Sequence, residues 1–455
     1  MELLGNLAGD FFIGIFYTMK ILFVADGRSP IALNWIGYWT TRDHEIFLAS
    51  TFPCNPDLPF ARVDFVPAAF SQAKSPSPTS SVKKKSPLWG AATLKLRMGV
   101  RHWLGPLTLP KSAARLNEII AEVRPDLIHA MRVPYEGMLA ATAKNLADDF
   151  PPLLISIWGN DFTLHAPSTP SMRFYTLFAM QAADALHADC HRDIRLATTY
   201  WDFDANLPSI VLPGGGGIDQ SVFYPPQKTV PERSGAQSTE RPLGKDGISE
   251  RRSSSTPPLR LRSETNKEPL VINPRGFRGY VRNDTFFKSI PLVLKERPEV
   301  KFICPTMAGE NQAEAWIQEL GISKSVELTP PLAREQLADA FRRAQILVSP
   351  STHDGTPNSL LEGMACGCFP IAGDLESIRE WITPNVNGLL IDPSNAKELA
   401  NAILRALNDD DLRAQAIEEN QKIIASRAEY GHSMAQAEGF YKKLIRPDRF
   451  YPPRN

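Results

Sequence analysis

The sequence predicts an α/β protein in which two halves each contain a parallel sheet covered by helices. Short apolar runs typical of buried strands alternate with stretches of helical periodicity along most of the chain. A chain of 455 residues is long enough for two or three domains. Residues 226–268 hold fifteen charged residues and five prolines but only five large apolar ones, too few to offset the entropy of ordering them. We therefore expect two α/β domains joined by a disordered linker.

The individual elements follow from these runs and periodicities. Strands are predicted at residues 20–25, 45–50, 62–66, 126–130, 153–158, 185–188 and 209–212 in the first half, and at residues 270–273, 300–304, 325–329, 345–349, 368–372 and 388–391 in the second. Helices are predicted at residues 112–123, 136–148, 171–184, 284–296, 311–320, 334–343, 357–366, 374–382 and 396–407. The chain beyond Asp411 is predicted to be mostly helical.

The domain boundaries follow from the same patterns. Met19 directly precedes the first buried-strand pattern, so we expect residues 1–18 to form an extension outside the folded domain. Glu2 and Asp10 stand where a signal peptide would carry basic residues. The predicted division is an extension at 1–18, a first domain at 19–225 with a flexible loop at 71–87, a linker at 226–268, a second domain at 269–430 and a tail at 431–455 that packs back on the first domain.

Composition excludes some classes of protein. Lysine and arginine number 50, as do aspartate and glutamate, so the formal net charge is zero. Nucleic-acid-binding proteins carry a basic electrostatic footprint, so we expect no nucleic-acid partner. Five scattered cysteines favour a reduced, cytoplasmic environment over a disulfide framework. Residues 88–104 mix tryptophan and leucine with basic side chains, which fits either a helix packed on its own domain or a peripheral contact with the inner face of a membrane.

The most informative segment is Ser349–Gly367, SPSTHDGTPNSLLEGMACG, which follows a buried-strand pattern. We expect a helix to begin near Pro357, so that Asp354 lies before the helix and Glu362 within it. A helix N-terminus exposes backbone N–H groups and the positive end of its dipole, which suits a phosphate. Carboxylates beside it can accept hydrogen bonds from sugar hydroxyls. The segment therefore suits a sugar nucleotide, although an ordinary strand–helix loop would have the same residue types.

This segment resembles the donor-binding signature of retaining GT-B glycosyltransferases of family 4, the group 1 type. That family has two glutamates separated by seven residues and then a Met-Ala-x-Gly helix end, and here Asp354 replaces the first glutamate. The resemblance continues through residues 368–404 and is specific over about 270–410, whereas over 19–215 it depends on short motifs. It implies the GT-B fold, two Rossmann-like domains facing across a cleft, with the acceptor on the first domain and the nucleotide sugar on the second.

The resemblance also assigns roles in the second half. Glu362 matches the position that holds the nucleotide ribose, and Asp354 matches the catalytic position that faces the donor sugar. The amides of the turn between them would hold the sugar or its β-phosphate, and this turn contains Thr356, Asn358, Ser359 and Leu360. The loop VINPRGFRGYVRND aligns Arg275 with the arginine of the family's diphosphate-binding pair. No lysine stands at the expected spacing, so Arg278 or Arg282 would replace it, and we favour Arg282 because it precedes the next helix.

Short motifs carry the resemblance in the first half. The strand end DLIHA makes His129 a catalytic candidate, with Met131 where the family often has a second histidine. The segment SIWGNDFTLHA resembles the family's His-Gly-x-Asp loop and makes Asp161 a second candidate, with His165 a weaker one. Gly27 stands in the turn that the family places near the donor phosphates. The glycines of Pro213–Gly217 fit a hinge between the domains.

The resemblance thus implies transfer of a hexose from a nucleoside diphosphate sugar, as co-substrate, to a hydroxyl of a sugar or lipid-linked acceptor, with retention. It implies no metal and no bound cofactor, and the setting we expect is cytoplasmic synthesis of a cell-surface polysaccharide or glycolipid. Two alternatives stay open. One is a sugar-nucleotide epimerase of the same fold, which would need His129 or a carboxylate for acid–base chemistry. The other is a non-catalytic sugar-nucleotide-binding protein, in which Asp354 has weakened catalysis.

Overall fold

The computed structural model describes residues 18–69, 71, 101–226 and 269–445. These residues form two α/β domains, each built on a fully parallel sheet. The predicted extension, the flexible loop and the linker lie outside the described residues, apart from the terminal residues 18, 71 and 226. Among the described helices, none is both long enough and apolar enough to cross a bilayer.

The first sheet has seven strands in the order β3–β2–β1–β4–β5–β6–β7. These strands are β1 (Lys20–Ala25), β2 (Glu45–Ser50), β3 (Arg62–Phe65), β4 (Leu127–Ala130), β5 (Leu153–Ile157), β6 (Ala185–Ala188) and β7 (Ser209–Val211). Its helices are α1 (Pro30–Thr40), α2 (Leu109–Val123), α3 (Met138–Asn145), α4 (Pro170–Ala182) and α5 (His191–Tyr200). The strand order reverses between β1 and β4, and open parallel sheets bind ligands outside the carboxyl ends of the strands at such a point.

The second sheet has six strands in the order β10–β9–β8–β11–β12–β13. These strands are β8 (Leu270–Ile272), β9 (Lys301–Cys304), β10 (Val326–Leu328), β11 (Ile346–Ser349), β12 (Phe369–Gly373) and β13 (Leu389–Ile391). Its helices are α6 (Asn283–Glu296), α7 (Asn311–Glu319), α8 (Arg334–Arg343), α9 (Asn358–Ala365), α10 (Glu376–Arg379), α11 (Ala396–Asn408) and α12 (Asp410–Arg427). Here the order reverses between β8 and β11, so the loops after these two strands are the expected ligand site.

All thirteen strands lie where the apolar runs predict them, with ends that differ by at most one residue. The reason is burial on both faces, since parallel strands covered by helices on each side are apolar throughout. Each sheet accordingly has an apolar core on either face. The helices α1 and α5 are not among the predicted elements.

The chain passes between the domains twice, at two adjacent segments. Ile218 N–H donates to the carbonyl of Ala428 at 2.6 Å, and Tyr430 N–H donates to the carbonyl of Ile218 at 3.0 Å. Gly217 has a φ of +112°, and a Cβ there would lie 2.4 Å from the Ala428 oxygen, so only glycine fits. Ile218 already packs in the core of the second domain, which therefore begins before residue 225, the predicted end of the first.

The last described helix, α13 (Tyr430–Ile445), returns to the first domain and packs on the sheet face opposite α2. Tyr441 Oη lies 3.0 Å from Trp35 Nε1 and 2.5 Å from His129 Nδ1. The series of hydrogen bonds continues from His129 Nε2 to Ser156 Oγ at 2.7 Å, on to His187 Nδ1 at 2.8 Å, and from His187 Nε2 to the Leu212 carbonyl at 3.0 Å.

The two ends of this series fix its direction. Trp35 N–H can only donate and the Leu212 carbonyl can only accept, so with neutral histidine rings each group between them donates to the next. The proton of each neutral ring is then on Nε2. Burial lowers the pKa of both rings, and that of His187 to about 4, which agrees with neutral rings at physiological pH.

Tyr441→Phe is expected to destabilise the first domain by about 1–3 kcal/mol, because it leaves His129 Nδ1 without its donor and Trp35 N–H without its acceptor inside the core. Urea denaturation of the full chain measures this loss. Tyr200→Phe is the matched control, because the Tyr200 side chain is 60% exposed, and its free energy of unfolding should stay within about 0.5 kcal/mol of the wild-type value. Equal stability of the two variants would show that the series of hydrogen bonds contributes nothing to folding.

Candidate active site

The loop between β11 and α9 occupies the ligand position of the second sheet. Strand β11 is fully buried and ends at Ser349, and α9 begins at Asn358 with Pro357 as its N-cap. Leu360, Leu361 and Met364 fix the helix by packing into the core. The first amides of a helix have no intrahelical acceptor, so the N-terminus of α9 presents N–H groups toward the cleft.

Arg275, in the loop after β8, lies beside the start of this helix. Its Nη2 is 2.5 Å from Asp354 Oδ2, and its Nη1 donates to Ser359 Oγ at 3.2 Å. Both members of the ion pair are mostly buried, with side-chain exposures of 11% and 13%. Arg275 Nε is buried and has no partner among the described residues. A fixed guanidinium and a helix N-terminus therefore meet at one point, which is the arrangement an anion requires.

Glu362 is one turn further along α9 and is only partly buried. No described residue donates a side-chain hydrogen bond to its carboxyl group, and it is not in an ion pair there. Burial raises the pKa of this carboxyl to about 7, against the opposing effects of Arg334 and Arg275. Because no described side chain occupies its oxygens, this carboxyl group can accept hydrogen bonds from ligand hydroxyls.

The residues of the turn between Asp354 and Glu362 differ in whether they still offer a hydrogen-bond donor to a ligand. Thr356 Oγ1 donates to the Asp189 carbonyl of the first domain and accepts from Trp381 Nε1 at 2.9 Å, so it joins the domains. The Leu360 side chain is buried, and its amide already donates to the Pro357 carbonyl at 2.9 Å. This leaves the amides of Asn358 and Ser359 as the available donors of the turn.

The remaining predicted donor residues are engaged elsewhere. Each guanidinium nitrogen of Arg282 has a partner, either the carboxylate of Asp284 or the hydroxyl of Ser394. Gly27 lies at the carboxyl end of β1, but its amide already donates to Ser50 Oγ at 3.0 Å. The Gly27 amide is therefore not available to a phosphate, and Arg282 is held by Asp284 and Ser394 with only its second Nη1 and Nη2 hydrogens left for a ligand.

The two catalytic candidates of the first domain do not reach the cleft. Both ring nitrogens of His129 are bonded inside the core, so the epimerase alternative would need a carboxylate for its acid–base chemistry. Asp161 is fully buried, and its carboxylate accepts from Arg132 Nε at 2.8 Å and from the amides of Val133 and Trp158. Asp161 thus positions Arg132, which does line a cavity at the cleft.

Arg192 joins the domains at the edge of the site, a role that the sequence analysis missed. Its Nη1 donates to the Asp354 carbonyl at 2.6 Å and to Ser377 Oγ at 3.0 Å, and its Nη2 donates to the Gly159 carbonyl at 2.7 Å. A single guanidinium therefore connects the loop after β5 with the loop that carries Asp354.

Two family models match the chain. The model described as "Glycosyl transferases group 1" matches residues 261–423, and the model described as "Glycosyl transferase 4-like" matches residues 20–189. Between them they cover most of both domains. The chain belongs to family 4 of the GT-B glycosyltransferases. The fold and the family that its donor-loop motif predicted are thus confirmed.

Curated relatives of this glycosyltransferase include D-inositol 3-phosphate glycosyltransferases. That of Thermobispora bispora is 27% identical over 180 residues, which is 37% of this chain and 42% of the relative. That of Corynebacterium kroppenstedtii is 25% identical over 259 residues, 54% of this chain and 50% of the relative. The glycosyltransferase thus matches half or less of the length of these relatives.

Solved structures share the fold over nearly the whole glycosyltransferase. Sucrose-phosphate synthase from Thermosynechococcus elongatus superposes with a TM-score of 0.66 at 16% identity, covering 94% of this chain and 100% of that one. The HepE protein of Anabaena, solved with UDP and glucose, gives a TM-score of 0.63 at 16% identity, covering 93% and 99%. At these identities the similarity concerns the fold.

Proposed function

We propose that this glycosyltransferase moves a hexose from a nucleoside diphosphate sugar to a hydroxyl of its acceptor, with retention of configuration. The observation that carries the proposal is that Arg275, from the loop after β8, lies beside the N-terminus of α9, and that Glu362 lies one turn along the same helix. This loop and this short helix together offer a cation, N–H donors and an acceptor carboxyl. A diphosphate, a sugar and a ribose together need these three kinds of group.

In this proposal Arg275 and the start of α9 stabilise the departing diphosphate without a metal ion. The bond between the anomeric carbon and the phosphate oxygen breaks, and a bond from the acceptor oxygen to that carbon forms on the same face. The acceptor proton passes to the released phosphate. Negative charge grows on the leaving oxygen, so fixed positive groups placed there in advance lower the barrier.

The relatives support a nucleotide-sugar donor. HepE is solved with UDP and glucose and also with UDP-glucose, and it shares the fold across both domains. We extend this donor class to the present chain because Arg275 and Asp354 lie on the loops after β8 and β11, where the strand order of the second sheet reverses, and Glu362 lies on the helix that follows.

We further propose a cytoplasmic enzyme that contacts a membrane peripherally and serves cell-surface polysaccharide or glycolipid synthesis. Three large apolar side chains support the contact, because Trp103, Leu104 and Leu107 are 58%, 47% and 68% exposed. Consecutive exposed apolar groups next to basic residues suit the interface of an anionic bilayer.

A thermal-shift panel of UDP-, GDP-, ADP- and dTDP-sugars in EDTA tests the donor proposal. One nucleotide should raise the melting temperature selectively, because a ligand that binds only the folded state stabilises it. Retention is then checked from the anomeric configuration of the product. The absence of any shift would show that the donor site is assigned incorrectly, whereas a shift without turnover would favour the non-catalytic alternative.

The affinity for the selected nucleoside diphosphate is expected to depend on pH through Glu362. Its carboxyl has a pKa of about 7 in the free protein and must be ionised to accept strong hydrogen bonds from the ribose hydroxyls. The dissociation constant should therefore be constant above pH 7 and rise toward tenfold per pH unit below it. Titration calorimetry between pH 5.5 and 8.5, about 1.5 units on either side of this pKa, measures how the dissociation constant changes with pH.

Glu362→Gln should remove the pH dependence and weaken binding at pH 8 by roughly tenfold or more, the usual contribution of hydrogen bonds to a charged acceptor. Glu314→Gln is the matched control, because Glu314 is exposed on α7 of the same domain. If Glu362→Gln kept the wild-type affinity and the wild-type pH dependence of the dissociation constant, the ribose would have to bind elsewhere.

A further inference from the structure

A cavity of about 270 Å³ opens in the first domain at the carboxyl ends of β1, β2, β4 and β5. It lies where the strand order reverses, on the cleft side of the sheet. Three arginines line it, Arg28, Arg101 and Arg132. We propose that this cavity binds an anionic group of the acceptor, a phosphate ester, and that Arg101 is its principal contact; this inference rests on the proposed transfer reaction.

Among the residues that the structure describes, no carboxylate forms an ion pair with Arg101, unlike the other two arginines of the cavity. Its guanidinium carbon lies 4.5 Å from the centre of the Tyr135 ring and 5.1 Å from that of Phe52, which hold it by cation–π contacts. Its Nε is buried and has no hydrogen-bond partner among the described residues. The segment that precedes it in the chain, residues 72–100, contains no aspartate or glutamate. A partly buried guanidinium without an anion is unfavourable, and a bound phosphate would supply that anion.

The other two arginines are held by carboxylates. Arg28 forms two hydrogen bonds with Asp26, at 3.0 and 2.9 Å, and its guanidinium covers the Phe52 ring. Arg132 is fixed by Asp161 at Nε and donates through Nη2 to Asn160 Oδ1 at 3.0 Å. These pairs balance their own charges and keep both guanidinium groups in place, so Arg101 provides the excess positive charge.

The acidic side chain in the same wall cancels that charge only in part. Glu136 is buried and accepts a hydrogen bond from Thr51 Oγ1 at 2.6 Å. Burial raises the pKa of its carboxyl to about 7, so it is only partly ionised at neutral pH.

Two histidines of the cavity report a positive potential. The rings of His102 and His165 lie 5.5 Å apart, and both side chains line the cavity. Burial is the main cause that lowers their pKa values, with a further contribution from Arg132 and Arg101, and the pKa of His165 falls to about 3. An anion placed here would be attracted by the same field.

The cavity also adjoins the proposed donor site. Trp158 lines it, and the next residue, Gly159, touches Gly355 beside Asp354. Tyr280 of the second domain is close enough to Arg132 to affect its pKa. An acceptor anchored by its phosphate at Arg101 would therefore extend toward the sugar of the donor.

Steady-state kinetics with matched acceptors test the proposal. Once the donor panel has identified the nucleotide sugar, glucose is compared with glucose 6-phosphate, and myo-inositol with its monophosphate. The phosphorylated member of a pair should have the lower KM. In Arg101→Gln, KM for that member should rise at least tenfold while KM for the neutral sugar stays constant, and Arg101→Lys should recover part of the loss.

The controls separate this site from the donor site. Arg173→Gln is the matched variant, because Arg173 also covers an aromatic ring, Trp201 at 5.4 Å, but is outside the cavity. Affinity for the nucleoside diphosphate should be unchanged in Arg101→Gln. An equal loss of that affinity would overturn the proposal, because the cavity would then hold the diphosphate of the donor.

Binding measurements keep the test independent of activity. Two measurements distinguish a soluble phosphate from a lipid headgroup. Calorimetry measures binding of the two sugar phosphates, and flotation compares phosphatidylcholine vesicles with and without phosphatidylinositol. Binding of either kind that weakens in Arg101→Gln supports the proposal, even if no nucleotide sugar binds and the transfer proposal fails. If neither kind binds, or binding is the same in Arg101→Gln, the anion site is overturned.

Discussion

Arg275→Gln is expected to lower kcat by roughly 100- to 1,000-fold, the usual cost of removing one fixed donor from a developing negative charge. Arg275 meets the N-terminus of α9 through Ser359, and its Nε remains without a described partner. Charge on the diphosphate increases as the glycosidic bond lengthens, so kcat should fall by a larger factor than KM rises. Steady-state transfer assays measure both constants.

Asp354 complicates the interpretation, because Arg275→Gln leaves a mostly buried carboxylate without its ion pair. Breaking such a pair destabilises a protein, so urea denaturation must accompany the kinetics. Arg275→Lys preserves the charge beside Asp354 but loses the planar two-nitrogen contact, and it should retain more stability and an intermediate kcat.

Variants of two further arginines are compared with Arg275→Gln in the same assays. Arg297→Gln is the matched control, since the Arg297 side chain donates to Glu299 and Asn408 on the surface of the same domain. Arg282→Gln should cost less than Arg275→Gln, because Asp284 and Ser394 already occupy its guanidinium. A larger loss in Arg282→Gln than in Arg275→Gln would restore Arg282 as the main diphosphate contact.

The strands and the donor loop were predictable because their signals are local in sequence. A parallel strand buried on both faces is a short apolar run, which the sequence shows directly. Helix α1 was not predicted because the sheet covers one side of it and α13 covers the other, so it lacks a polar face and a clear helical period. The position of Glu362 one turn into α9 likewise followed from the spacing within a single segment.

The roles of single side chains were harder to predict because they depend on distant partners. His129 matches a family motif, but its environment is decided by Tyr441, 312 residues away in the chain. Asp161 turns inward because Arg132, 29 residues before it, needs a counter-ion. Arg101 and Arg192 belong to no motif, and the sequence does not show that either would lie at the cleft.

The second large effect is expected at the contact between the domains. Gly159→Ala should lower kcat by roughly 100-fold, because a displacement of about 1 Å between reacting groups costs that much. A Cβ at Gly159 would lie 2.0 Å from the amide nitrogen of Gly355 and 2.7 Å from its Cα, so the two loops must separate. The three nearest atoms all belong to the second domain, and Gly159 does not have a positive φ, so alanine is compatible with the first domain itself.

Separation of the two loops would affect closure of the domains and leave the contacts with the nucleotide donor intact. Arg275, Asp354 and Glu362 all lie in the second domain, so affinity for the nucleoside diphosphate should be close to the wild-type value while transfer is slow. Small-angle X-ray scattering should show a larger radius of gyration with donor bound, since the loops can no longer meet. Closed domains exclude water and complete the site, so hydrolysis of the donor should increase relative to transfer.

Gly439→Ala is the matched control, because Gly439 lies within α13 and a Cβ there meets nothing within 4 Å. It should keep the wild-type kcat and gain up to about 1 kcal/mol of stability, since alanine favours a helix more than glycine does.

Gly159 is a better test than Gly355, because Gly355 lies within the donor motif, where a substitution would also disturb nucleotide binding. If Gly159→Ala turned over at the wild-type rate, the contact between the two loops would not be part of the catalytic conformation, and Arg192 and Thr356 would have to align the domains without it.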